Sequence, residues 1–175
     1  MNISIKKMVQ GALLTAISII IPVVFGSFLR IYIPPFSATL GAHVPMFLAM
    51  FLGTFVATFV GIGSGIGFLF AFPDPVIAFR AFTHIIVGFV GAKLVQKNIK
   101  FRYVTLITAP LHGILEALVV LPFGFAFKDA LIVVGIGAIL HHTLDGVVSY
   151  PIIKKLGLAK KESLKSAEVD CKEIA

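Results

Sequence analysis

The sequence predicts an all-α membrane protein of six transmembrane helices with both termini in the cytoplasm. Three observations carry this. Of 175 residues, 58% are hydrophobic and 13% charged, with a mean hydropathy of +1.04, whereas soluble domains run near 45–50% apolar and about 25% charged. The length accommodates five or six spans of about 20 residues each. The 15 basic residues are unevenly distributed about those spans. Together these exclude an ordinary cytosolic enzyme and a disordered chain, and they leave no room for a nucleotide-binding domain.

The first apolar segment is residues 8–25, with Pro22 near its end. Its start, MNISIKKMVQGALLTAISIIIPVVF, superficially resembles a signal peptide. The apolar run is long for one, however, and no clean small-x-small cleavage site follows, so it reads as a retained helix. Residues 26–41 hold Arg30, Tyr32 and Pro34-Pro35, poor helix material, and read as a structured loop. Residues 42–72 are too many for one span and few for two. A break near Gly53 and Thr54 gives a short second helix and a third carrying Gly61, Gly63, Gly65 and Gly67. The sequence FPDP at 72–75 is a turn. Residues 75–95 form the fourth helix, 96–102 a basic loop, 103–125 the fifth helix, 126–130 a short loop and 131–153 the sixth helix. This organises the chain as a six-helix transmembrane domain, 1–158, and a polar cytoplasmic tail, 159–175.

With six spans, Lys6, Lys7, Lys93, Lys97, Lys100, Arg102, Lys154, Lys155, Lys160, Lys161, Lys165 and Lys172 fall on the side of the termini, and only Arg30, Arg80 and Lys128 fall elsewhere. Such a bias marks the cytoplasmic side and accounts for most of the net charge of +7, so nucleic acid is not needed to explain it. The single cysteine, Cys171, lies in the tail and suits neither an internal disulfide nor a zinc site.

The run GIGSGIG at 61–67 is not a dinucleotide loop, because Ile66 stands where the third glycine belongs, and no Gly-Lys-Ser/Thr follows. Its glycines four apart instead suit close helix packing in lipid. Ala12 and Ala16, flanked by Gly11, Thr15 and Ser18, form a second small-residue strip. Spacing alone leaves internal packing and docking to another membrane protein equally open.

Ionisable residues inside spans are expensive and normally face a cavity or a partner. They concentrate in the last three helices: Arg80 and His84, then His112 and Glu116, then His141, His142 and Asp145. Residues four apart share a helix face. Helix direction places Arg80, His84, Glu116, His112 and the His141/His142 pair where they can line one outward-facing cavity, with Arg30, Tyr32 and Phe36 in the loop above it. Each also has a plainer reading. Arg80 can snorkel to the interface, each histidine can bond a neighbouring helix, Asp145 can pair with His141 or His142, and His43 reads as a wet helix-end residue. Zincin and nucleophile-elbow motifs are missing, and no His/carboxylate spacing demands a metal, so neither an enzyme nor a cofactor is expected.

The six-helix organisation, the Ala12/Ala16 pair, the loop after the first helix and the short second helix resemble the substrate-binding (S) components of energy-coupling factor vitamin transporters over about residues 6–156. The stretch IYIPPFSATLGAHVPMFLAMFLGTFVATFVGIGSGIGFLF is similar to the niacin branch. The resemblance implies a bacterial cell-membrane subunit that binds a vitamin from outside. It also implies a transmembrane coupling (T) component, docked through Ala12 and Ala16, and two cytoplasmic ATPases that drive uptake. With nicotinate as ligand, Arg80 would bind the carboxylate, a histidine the ring nitrogen, and Phe36, Phe79 or Tyr32 would supply an aromatic wall. Pantothenate, pyridoxine and riboflavin remain alternatives within the class. A stand-alone proton-coupled carrier and a purely structural membrane protein remain alternatives outside it.

Overall fold

The computed structural model describes residues 4–158; the polar tail expected from residue 159, with Cys171, lies outside them. Helix α1 spans Ile5–Leu29 and runs through Pro22, longer at both ends than its apolar run. The expected loop is an antiparallel hairpin of β1 (Arg30–Ile33) and β2 (Phe36–Thr39), with Arg30 opposite Thr39 and Ile33 opposite Phe36. Strand β1 is exposed at every position, while β2, packed on the bundle, buries Phe36, Ala38 and Thr39.

Helix α2 (Val44–Leu52) starts with Pro45 in its first turn, where a missing N–H is harmless. It ends at Gly53, whose φ of +123° is tolerated by glycine; α3 (Thr54–Ala71) follows at once. At nine residues, α2 is about 13 Å long at 1.5 Å per residue, under half a bilayer core. It lies in the middle of the bundle. Its Met46, Phe47 and Met50 pack with Val56 and Val60 of α3 and with Val87, Val104 and Ile153 of later helices.

Asp74 caps the next helix by accepting from the Val76 N–H at 2.9 Å. This fourth span is interrupted: α4 (Pro75–Phe82) and α5 (His84–Gln96) meet at Thr83. Helix α6 (Phe101–Val120) closes in a 3₁₀ turn at Leu121–Phe123. The last span begins with a single turn, α7 (Phe127–Asp129), passes through a π-helical stretch at Ala130–Gly135 and continues as α8 (Ile136–Lys155). Among the described residues, five helical stretches are long and apolar enough to cross a membrane; with the short α2 they make the all-α bundle expected of the sequence.

The glycine run does what its spacing suggests. Gly61 lies against the backbone of α5, where a Cβ would come 2.7 Å from the Ile85 nitrogen, and Gly65 lies against the Phe82 ring. Gly63 and Gly67 face Thr15 and Ile19 of α1. Helix α3 is thus packed closely on two sides. The small residues of α1 divide accordingly: Gly11 and Ser18 are buried, Thr15 packs on Gly63, and Ala12 and Ala16 are exposed. Ala12 lines an apolar surface groove with Phe55 and Phe59 of α3.

Candidate functional site

The hairpin, α1, α3, α4, α5 and the facing walls of α6 and α8 line a cavity of about 320 Å³. Apolar side chains, among them Phe68, Phe72 and Ile77, form one wall. Arg80, Glu116, His84, His141, His43 and Arg30 form the polar part.

Arg80 is 8% exposed and Glu116 5%, so Arg80 does not snorkel outward. Its Nε and Nη2 donate to Glu116 Oε2 at 3.0 and 2.7 Å. Its guanidinium also lies over the Phe36 ring, 5.1 Å from the centroid. Phe36 in turn is seated on Gly137, where a Cβ would come within 2.9 Å of the ring. Two of the five guanidinium N–H groups are therefore held by Glu116, and the arginine is locked in one pose facing the cavity. Glu116, awkward as a contact for an anionic ligand, has a clear role as the group that orients Arg80.

Behind this pair lies a continuous polar cluster. His112 Nε2 is 3.4 Å from Glu116 Oε1 and 3.0 Å from His43 Nε2. His43 Nδ1 is 2.9 Å from Asp145 Oδ2. Asp145 also accepts from two backbone N–H groups, Gly41 at 2.6 Å and His43 at 3.0 Å. His141 Nε2 stands between Asp145 Oδ2 (3.1 Å) and the Thr39 carbonyl (3.0 Å). Asp145 is fully buried. It ties the base of the hairpin and the start of α2 to α8, which is the structural role expected of it, with His43 and His141 as partners in place of His142.

Of the sequence candidates, Arg80, His84, Glu116, His141 and Arg30 line the cavity, and Phe36 is buried against Arg80. His112 and His142 are fully buried but sit behind the cavity. The interruption at Thr83 does not separate Arg80 from His84; both face the cavity, and His84 Nε2 is buried without a partner among the described residues. Tyr32, 63% exposed, and Phe79, 42% exposed, point away from it. Tyr32 sits on the strand whose side chains are all outside, and the Phe79 ring packs on Phe82 and Phe123, so neither forms the aromatic wall. Arg30 stacks on Tyr32 at 5.3 Å at the exposed rim.

The residue that sequence reasoning missed is His43. Far from a wet end residue, it is 2% exposed and central: the rings of His84, His112, His141 and His142 all lie within 5.1 Å of its own, centroid to centroid. The available signal was a histidine within an apolar stretch too long for a single span.

A bundle of membrane-length apolar helices around one buried, charged cavity of small-molecule size defines a multi-pass membrane protein that binds a solute. The chain is similar to the niacin transporter NiaX of Lactococcus lactis subsp. cremoris (strain MG1363), 32% identical over 157 residues that cover 81% of this chain and 70% of that protein. It belongs to that family, the S components of vitamin transporters, and is a transport protein rather than an enzyme. No protein-family model matches the chain, and no solved structure matches it significantly.

Proposed function

We propose that this chain is the high-affinity substrate-binding subunit of an ATP-driven energy-coupling factor transporter, that its vitamin is nicotinate, and that it works with a T component and two cytoplasmic ATPases. The observation that carries the reading is Arg80: a buried guanidinium, fixed by Glu116 and Phe36, with donors still directed at a cavity of about 320 Å³. A planar carboxylate is its natural partner. His84 Nε2, buried and unpartnered on the same cavity, suits the pyridine nitrogen, and the Phe36 ring backs the Arg80 guanidinium. The volume lies at the small end of ligand pockets, which favours a single ring over a tricyclic vitamin such as riboflavin. The relative's substrate supports the same choice.

In this reading the termini and the basic loops are cytoplasmic, the hairpin is extracellular, and the ligand enters beneath it. Exposed Ala12 and Ala16 let a partner helix approach closely and form the T-component surface. Titration of detergent-purified protein with nicotinate and nicotinamide tests the substrate. Tight binding of the acid and much weaker binding of the amide is expected; equal affinity for both would remove the carboxylate role from Arg80.

One observation favours a second reading. The unbroken run from Glu116 through His112 and His43 to Asp145 is the kind of buried relay a proton-coupled carrier needs. Uptake by proteoliposomes containing this chain alone would establish that alternative.

A further inference from the structure

Hydrogen-bond accounting in the cluster behind the cavity leads to a second binding site. Thr83 Oγ1 donates its one proton to the Arg80 carbonyl at 2.6 Å, so towards His112 Nδ1, 3.4 Å away, it can only accept. Thr108 Oγ1 likewise donates to the Val104 carbonyl at 2.8 Å, so towards His142 Nε2 at 2.9 Å it also accepts. Asp145 accepts from two backbone N–H groups as a carboxylate, so the His43 Nδ1 beside it donates. A neutral imidazole has one N–H. The His43 proton is thereby committed to Asp145; with the His112 and His142 protons likewise turned towards Thr83 and Thr108, the inner nitrogens, His43 Nε2, His112 Nε2 and His142 Nδ1, are lone pairs free to ligate. His43 Nε2 and His112 Nε2 face each other at 3.0 Å. Glu116 Oε1, 3.4 Å from His112 Nε2, adds a further acceptor. His142 Nδ1 is buried with no partner among the described residues.

We infer that His43, His112 and His142 hold one divalent transition-metal ion of the zinc class. One ligand atom from each lies within 4.8 Å of the other two, and all three residues are buried. Three imidazoles with room for a fourth ligand form a recognised zinc set, and imidazole suits zinc, nickel and copper over magnesium or calcium. The outer bonds are those a ligating histidine makes: one ring nitrogen to the metal, the other to a carboxylate or hydroxyl that fixes the tautomer. The other close grouping, His43, His141 and Asp145, is already satisfied, because its donors meet a carboxylate. The ion would join the start of α2 to α6 and α8, directly behind the inner wall of the vitamin cavity, and its binding does not depend on which vitamin is carried.

The test uses the full chain in detergent, free of any polyhistidine tag and stripped with a chelator. Incubation with Zn²⁺, gel filtration and elemental analysis should return one zinc per chain, and Co²⁺ should give the intense visible absorption of a tetrahedral site. Thr108→Val removes only the outer partner of His142 and should weaken Zn²⁺ binding by about 10–100-fold; His142→Gln should weaken it at least as much. Retention of under about a tenth of an equivalent by the wild-type chain, against the full occupancy a preformed site should reach, would overturn the inference and assign the lone pairs to a shared proton. Unchanged Zn²⁺ affinity in folded Thr108→Val and His142→Gln would overturn it as well.

Discussion

Asp145 offers the sharpest test of what holds this bundle together. Replacing it with alanine removes four bonds at once: to the Gly41 and His43 amides and to the rings of His43 and His141. At about 0.6 kcal/mol per polar contact, the average for membrane helices, four such bonds give about 2.4 kcal/mol. Leaving those buried N–H donors unsatisfied, at about 1–3 kcal/mol for each group that finds no new partner, raises this further. Asp145→Asn should cost less, because its amide oxygen can take the Oδ2 position and keep three bonds, while its NH₂ faces the Gly41 N–H, donor against donor. One lost charge-assisted bond is then at stake, about 1.5–3 kcal/mol. Equilibrium unfolding in mixed micelles should order the three proteins as wild type, Asn, Ala. If Asp145→Ala lies within about 0.5 kcal/mol of wild type, the range of an ordinary surface substitution, the carboxylate does not anchor the hairpin to α8.

Other outcomes follow from neighbouring geometry. Arg80→Ala should weaken nicotinate binding by roughly thirtyfold or more, the 2–5 kcal/mol of a truncated buried charge pair, and calorimetry of the folded variant measures it. Tyr32→Ala should leave the nicotinate Kd within about twofold, because its ring is outside the cavity. Gly61→Ala should destabilise by about 1–3 kcal/mol, since its Cβ meets unyielding backbone at Ile85; Gly63→Ala should cost less, because it meets the Thr15 side chain, which can turn. Thermal unfolding separates the two. Replacing Ala12 and Ala16 together with leucine should leave Tm unchanged, both being exposed, yet abolish co-purification with a T component.

How far the sequence revealed the site depended on the range of the contacts involved. The pairs His112/Glu116 and His141/Asp145 could be read directly, because residues four apart on a helix meet whatever surrounds them. The Arg80–Glu116 pair required only that two adjacent spans carry their charges at similar depth. The hairpin was hidden because IYIPPFSAT has neither a helix period nor a standard two-residue hairpin signal; its prolines argued only against helix. The break at Thr83 was hidden because a threonine hydroxyl bonding back to the Arg80 carbonyl leaves no mark in the sequence beyond an ordinary threonine.

His43 shows the limit most clearly. Its partners lie 69 and 102 residues away, so no local period could assign it to the cluster. Yet the cost of a buried polar group in lipid demands partners for every ionisable residue in a span, and a carboxylate can accept several bonds where a neutral histidine supplies one N–H. With only His141 beside it on its own helix, the Asp145 carboxylate was a request for further donors from elsewhere in the chain. The backbone at Gly41 and His43 answers it, and the His43 ring does so too. That turns the short helix α2 from a connector into the element on which the hairpin, the cavity wall and the inner histidine cluster are all mounted. A histidine in an apolar stretch too short for two spans is therefore better read as the missing partner of buried carboxylates than as an end residue in water.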